Sequence, residues 1–323
     1  MNNNNLLDFE RPIQELKDQV AILKHASNGS NIDISEEVNN LNNKIENLSK
    51  NIYSQLTAKQ IMQIARHQDR PHTRDYINNL FTDFIELHGD RHYGDDQSLI
   101  TGIAKFENTS VAVMGHQKGS NTKDNIKKNF GMSKPEGYRK ALKLMKLAEK
   151  FKLPIISFVD TPGAYPGIGA EERNQSEAIG RNIYEMSALQ TPIIVNIIGE
   201  GGSGGALAIA VGDIVNMLEF AIYSVIMPEG CASILWKDAS KFDIAAESLA
   251  ITSNKLYYFK LIDNIIKEPM NGAHNNHEAI MTEMKTSIHH NLQYLKAQNM
   301  DQLLTLRMEK IMNYGVFNGK SYN

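Results

Sequence analysis

The sequence predicts an α/β fold, and three observations carry that prediction. Nearly continuous apolar runs at 110–115, 153–160, 191–198 and 221–226 read as strands buried on both faces of a helix-covered sheet. Amphipathic stretches separate them, notably 135–152, where Tyr138, Ala141, Leu142, Met145 and Ala148 share one helical side. Finally, the strands ending at Asp160 and Ile198 each run into a glycine-rich turn and then a helix-like segment. Two successive strand–turn–helix units place both turns on the same edge of the sheet.

The body predicted in this way spans 58–295. Ahead of it, 1–57 reads as a helical hairpin. Ile13, Leu16, Val20 and Leu23 form one apolar stripe, and Val38, Leu41, Ile45, Leu48, Ile52 and Leu56 form a second. The residues between, 26–31, are a loop by composition, and Ser35 followed by Glu36 and Glu37 reads as an N-cap with acids in the first turn. The hairpin's polar faces exclude a membrane span; its length calls for packing on its own domain or a partner. Residues 296–323 read as a charged, helical C-terminal tail with little sign of chemistry.

Composition narrows the setting. Of 323 residues, 41 % are hydrophobic and 22 % charged, as in an ordinary globular protein. No apolar run approaches the ~18 residues of a membrane helix, and residues 1–5 show no secretory signal. The lone Cys231 forms no internal disulfide and no Cys-based zinc site, which favours a reducing, cytoplasmic setting. The net charge of −3 conceals a basic stretch: 118–152 holds eleven Lys or Arg against Asp124, Glu136 and Glu149, a local +8 that leaves −11 elsewhere. It reads either as a solvated helix face or as a patch for phosphates or an acidic partner. Few aromatics and no binding motif accompany it, which disfavours nucleic acid.

The run Gly199 to Ala206 admits three chemical readings. Gly199, Gly201 and Gly204 satisfy the dinucleotide-binding G-x-G-x-x-G, but about 140 residues of the body precede it, and the acid at the required distance, Glu219, is not cleanly at a strand end. Gly201–Gly205 satisfies the nucleophile elbow G-x-S-x-G, with Asp263 and His274 following in a workable order. In the third reading the glycines matter for their backbone. A turn without Cβ atoms, opening a helix, offers unpaired N–H groups to an oxygen that gains negative charge, an oxyanion hole. A turn needed only for close helix–strand packing stands beside all three.

A wider set of segments resembles one family. It comprises Phe158–Gly167, Ala170–Arg173, Ile198–Ala206 and Pro228–Lys237, with Leu7–Glu10, Ile64–His67, Glu86–Arg91, Asn129–Met132 and Pro135–Ala141. In order and content these resemble the alpha subunits of bacterial-type acetyl-CoA carboxylase carboxyltransferases, from about residue 7 to 275. The resemblance implies a crotonase-like fold of ββα spiral repeats, carrying the N-terminal hairpin and C-terminal helices. It implies transfer of a carboxyl group from carboxybiotin on a biotin carboxyl carrier protein to acetyl-CoA, giving malonyl-CoA for fatty acid synthesis. Biotin carboxylase would charge the carrier. A beta subunit would complete an α2β2 core and carry the zinc ribbon, leaving no metal and no covalent cofactor in this chain. By position, the N–H groups of Gly204 and Gly205 would hold the biotin ureido oxygen. Gly201, Gly202 and the Pro162–Gly163–Ala164 turn would line the carboxybiotin pocket.

The chain departs from the family pattern at Asn174 and Asn271, where glycine is expected, and at Met227, where a small polar residue is expected. Other features rank low. His88 with His92, and His274 with His277, lack further ligands at metal-site spacing. Arg173 and Lys237 read as solvated cations, and Cys231 as a buried structural thiol. A rival function is a stand-alone crotonase-type enoyl-CoA hydratase or isomerase, which would need pocket carboxylates such as Glu171, Glu172 or Glu200. A second is a non-catalytic scaffold assembled through the hairpin.

Overall fold

The computed structural model describes residues 6–27 and 33–315. The expectations for 1–5, for most of the 26–31 loop and for the end of the tail lie outside the described residues. Helices α1 (Arg11–Ser27) and α2 (Ser35–Ser54) pack together, with Ile13, Val20 and Val38 buried along the expected stripes. Ser35 is not the N-cap. It is the first helical residue, and the Asp33 carboxylate accepts its N–H at 2.9 Å, so the acid two positions earlier satisfies that end. Buried Glu10 accepts from the Tyr53 hydroxyl, and Tyr53 also donates to the Asn271 carbonyl at 3.2 Å, tying the hairpin to the body.

The body opens with α3 (Ala58–Ala65) and α4 (Thr73–Leu80). One eight-stranded sheet then forms its centre, with β1 (Thr82–Glu86), β2 (Leu99–Phe106) and β3 (Thr109–His116) antiparallel. After α5 (Thr122–Lys127) and α6 (Pro135–Phe151) come β4 (Ile155–Thr161), α7 (Ile168–Glu171), α8 (Gln175–Ala188), β5 (Ile193–Gly202) and α9 (Ser203–Leu207). Then follow β6 (Ile214–Leu218), β7 (Ile222–Ser224), α10 (Pro228–Trp236), α11 (Phe242–Ser248), α12 (Ser253–Tyr258), β8 (Asn264–Ile266), α13 (His277–Lys296) and α14 (Met300–Met312). The order is β1-β2-β3-β4-β5-β6-β8, parallel from β3 onward, with β7 pairing beside the far end of β5.

The buried strands expected at 110–115 and 153–160 are present with shifted ends; the run at 221–226 forms only the short β7. On α6 it is Leu144, not Leu142, that joins Tyr138, Ala141, Met145 and Ala148 in the core, because Leu142 is turned toward the half-exposed flank. The basic stretch is not one solvated face. Lys140 is buried and donates to Asp95 at 2.6 Å and to the Asp96 carbonyl at 2.8 Å, while Arg139 binds Asp90 at 2.8 Å.

Two polar devices hold the parallel half in register. Asn196, Asn216 and Asn264 sit opposite one another on β5, β6 and β8. Asn216 donates to Asn196 at 2.9 Å and accepts from Asn264 and from Asn291 of α13, each at 3.0 Å. A slip of one residue would put these side chains on the opposite face, without partners. The second device is Arg307 of α14, which is fully buried. It grips Asp213 at 2.7 and 2.8 Å and donates to the carbonyls of Met186, Leu189 and Thr191.

Two stability predictions follow from these buried groups. Arg307→Ala leaves Asp213 buried without its cation and is expected to cost about 3–5 kcal/mol, read as a lowered urea midpoint at unchanged slope. His116, at the end of β3, is fully buried, and burial pushes its pKa down to about 4, outweighing the nearby Asp160 carboxylate and the Gly205 backbone, both of which favour the protonated ring. The unfolded chain therefore binds more protons between pH 4 and the ordinary value of 6.5, so this contribution is complete above pH 6.5 and is lost as pH falls through the window. Stability of the wild type relative to His116→Gln is expected to drop by up to about 3 kcal/mol from pH 7 to pH 4. Parallel curves for the two proteins would refute it.

Candidate active site at the carboxyl ends of the central strands

Strands β4 and β5 run parallel, and the turns that leave them lie side by side, with Thr161 opposite Gly201. The sequence reading ends the second strand at Ile198. The structure instead carries β5 through Gly202, because Glu200, Gly201 and Gly202 pair with Ile222, Tyr223 and Ser224 of β7. The first glycines are therefore strand residues, and they are glycine because neighbours occupy the Cβ positions. A Cβ on Gly199 would lie 2.4 Å from the Asp160 carboxylate, one on Gly201 2.6 Å from the Tyr223 ring, and one on Gly202 2.1 Å from the Pro162 carbonyl oxygen. On the far side of the junction, a Cβ on Gly205 would meet the Ala164 nitrogen and the Gly163 carbonyl carbon at 2.4 Å. Gly204 differs: its Cβ would make an ordinary 3.5 Å contact with Ile179.

At the junction Ser203 is exposed and held at φ +50°, a left-handed conformation that turns strand directly into helix. Ser203, Gly204 and Gly205 are the first residues of α9, so their N–H groups have no partner within the helix. Ser203 and Gly204 form part of the wall of a cavity of about 810 Å³. Its other walls are largely apolar, from Ile183 of α8, Leu207 of α9, Tyr223 of β7, Leu256 of α12 and Met308 and Ile311 of α14. Among the described residues, no Asp, Glu, His, Lys or Arg side chain lines it.

Behind the turns lies a buried ionic network. The Asp160 carboxylate accepts the Glu200 backbone N–H at 3.0 Å, and Lys118 reaches both Asp160 and Glu200 at 2.7 Å. Arg66, at the end of α3, binds Glu200 at 2.6 Å and also pairs with Glu229 of α10. Burial alone would push the Asp160 pKa up, but Lys118 and the His72 ring, 3.4 Å away, hold it far below the usual carboxylate range. Asp160 and Glu200 in turn hold Lys118 above its ordinary value against its own burial.

All seven glycine-turn residues singled out from the sequence come together here. Gly204 lines the cavity, Gly201, Gly202 and Gly205 are buried beside it, and half-exposed Pro162, Gly163 and Ala164 back the turn. The elbow reading fails. Ser203 has the conformation of an elbow, but Asp263 is taken by Lys310, and His274 stacks on His67 at 4.1 Å. Of the acids proposed for a hydratase, Glu200 is locked in its ion pairs, Glu171 and Glu172 are exposed, and none lines the cavity.

Among the described residues no cluster of three or more His, Cys, Asp or Glu is arranged to hold a metal ion. Cys231 is buried within α10, as expected of a structural thiol. Arg173 is not simply solvated. It forms a two-pronged pair with Glu136 at 3.0 and 3.1 Å and lies over the Tyr93 ring. The asparagines at the two expected glycine positions both adopt left-handed backbone, Asn174 at φ +66° and Asn271 at φ +69°, which asparagine tolerates better than most residues. The contribution of α14 to the cavity had no signal in the sequence, since 300–312 reads only as an amphipathic charged helix.

The chain resembles known proteins over nearly its whole length. Residues 6–315 match the family described as acetyl co-enzyme A carboxylase carboxyltransferase-like. Over 311 residues, 96 % of the chain, it is 55 % identical to the acetyl-coenzyme A carboxylase carboxyl transferase subunit alpha of Methylococcus capsulatus, covering 97 % of that protein. Over the same length it is 56 % identical to that of Chromobacterium violaceum, again covering 97 %. Among solved structures, the transcarboxylase 12S core with hydrolysed methylmalonyl-coenzyme A bound aligns with a TM-score of 0.59 at 17 % identity, over 82 % of this chain and 46 % of that one. A Pseudomonas malonate decarboxylase hetero-dimer aligns at 0.57 and 13 %, over 74 % and 96 %. These structural likenesses show a crotonase-like fold. The sequence matches span nearly the whole chain, and it belongs to the family of acetyl-CoA carboxylase carboxyltransferase alpha subunits.

Proposed function

We propose that this chain is the alpha half of a two-subunit carboxyltransferase, and that the start of α9 stabilises negative charge on the ureido oxygen of biotin while a carboxyl group passes from carboxybiotin to acetyl-CoA. One observation carries the reading: the first N–H groups of a glycine-bearing helix, without partners inside that helix, stand beside an apolar cavity to which the described residues contribute no acid–base side chain. Such a site suits chemistry in which an oxygen gains charge and the substrates move the proton themselves. Each donor of this kind is worth roughly 3 kcal/mol in the transition state, more than in water because the walls are apolar.

In this reading Gly204 and Gly205 donate to the oxygen. Gly201 and Gly202 let the strand end approach the Pro162–Gly163–Ala164 turn. That turn borders the carboxybiotin pocket. The second substrate, acetyl-CoA, and the zinc ribbon belong mainly to a beta subunit in an α2β2 core. A biotin carboxyl carrier protein, charged by biotin carboxylase, delivers the carboxyl group. The chain supplies no covalent cofactor of its own. A cytoplasmic setting suits these partners and the lone thiol.

Carboxyl transfer between malonyl-CoA and free biocytin, measured for this chain alone and mixed with a beta-type subunit, tests the reading. Activity confined to the mixture is the expected outcome. A mixture that forms the complex yet transfers nothing would overturn it. Alanine replacements keep the backbone N–H and test the close approach of the two turns. Gly204→Ala meets only an ordinary contact and is expected to fold, assemble and keep activity within a few-fold. Gly205→Ala forces the Gly163–Ala164 backbone away and is expected to lose about 10²-fold or more in kcat.

A further inference from the structure

Three observations converge on Asp160. It is the penultimate residue of β4, next to Thr161, from which the Pro162–Gly163–Ala164 turn leaves the strand. Its carboxylate also accepts the backbone N–H of Glu200 at 3.0 Å, at the root of the other turn, and presses so closely on Gly199 that a Cβ there would lie 2.4 Å away. Lys118, from the segment after β3, completes the joint by reaching Asp160 and Glu200 at 2.7 Å each. None of these groups lines the cavity.

The network fixes a relative position, because its members come from different elements: the segment after β3, the ends of β4 and β5, α3 through Arg66 and α10 through Glu229. The buried members Lys118, Arg66, Asp160 and Glu200 balance in charge, and the remaining acid, Glu229, is half-exposed, where water screens it. The main effect of the joint on the site is therefore geometric.

We propose that Asp160 and Lys118 are positioning residues for carboxyl transfer, locking the two turns together so that the N–H groups at the start of α9 stay aimed at the reacting oxygen. This rests on the carboxyltransferase reading above. A displacement of about 1 Å in such a site can cost roughly 10²-fold in rate without changing what binds.

The test uses the assembled complex with a beta-type subunit, the malonyl-CoA and biocytin assay, and the variants Asp160→Asn, Lys118→Met and Lys118→Arg. Wild-type activity must be present first; its absence would remove the carboxyltransferase reading and this inference with it. Asp160→Asn keeps the shape but removes a negative charge behind the site. A field effect alone would favour an oxyanion and raise kcat, whereas loss of positioning lowers it. The expected result is a 10- to 100-fold fall in kcat per assembled complex, with KM for both substrates within two-fold. Lys118→Met should behave alike, and Lys118→Arg, which keeps the cation, should recover much of the loss. If Asp160→Asn does not assemble, the Lys118 pair decides: a kcat deficit in Lys118→Met that Lys118→Arg repairs supports the proposal. Unchanged or raised kcat, a loss confined to KM, or a deficit equal in both lysine variants would overturn it.

Discussion

The structure depends on two backbone turns lying closer together than side chains allow. The carbonyl of Pro162 occupies the place of a Cβ on Gly202, and the backbone of Gly163 and Ala164 occupies that of Gly205. Close packing of this kind removes slack: neither turn can shift without the other, and both are rooted in parallel neighbouring strands. Between the two glycines of that contact lie the left-handed Ser203 and the start of α9, where Ser203 and Gly204 form part of the cavity wall. Asp160 and Lys118 hold from behind what the glycines permit in front.

This arrangement explains why the site carries few functional side chains. A hydrolase or hydratase on a similar sheet would need its carboxylates or imidazole in the cavity, but here the ionisable groups are drawn into ion pairs beneath it. In the proposed reading the chemistry left to the chain is that of its backbone, and backbone donors work only as well as their positions are fixed.

Much of this was legible in the sequence, for identifiable reasons. Strands β3, β4 and β5 announce themselves as apolar runs because both faces are buried. The hairpin helices show their stripes because one side of each is packed. Strand β2 escaped because the turn into β3 is Glu107–Asn108, with Glu107 at φ +52° and no glycine to mark it. Strands β6 and β8 escaped because each is short and carries an asparagine, a residue that normally signals a loop. Those asparagines are the ladder that fixes the sheet's register, a pattern visible only once the strands are side by side. At the site, the glycine run was readable as a backbone motif, but the end of its strand was not, since pairing with β7 is a long-range contact. The roles of Lys118 and Arg66 were equally hidden, lying 82 and 134 residues from Glu200.

Helix α14 supplies Arg307 to the buried Asp213 and also Met308 and Ile311 to the cavity wall. On the ribosome the chain emerges from its N-terminus, so the sheet, both turns and the ionic network are available before this helix is. A nascent chain at that stage holds an uncompensated carboxylate beside Ile193 and a cavity open along one side. Completion of the last described helix therefore neutralises the charge and closes the wall in a single event. A polypeptide released too early would be marked by its exposed apolar wall as a substrate for chaperones and proteases, before it could compete for a partner subunit.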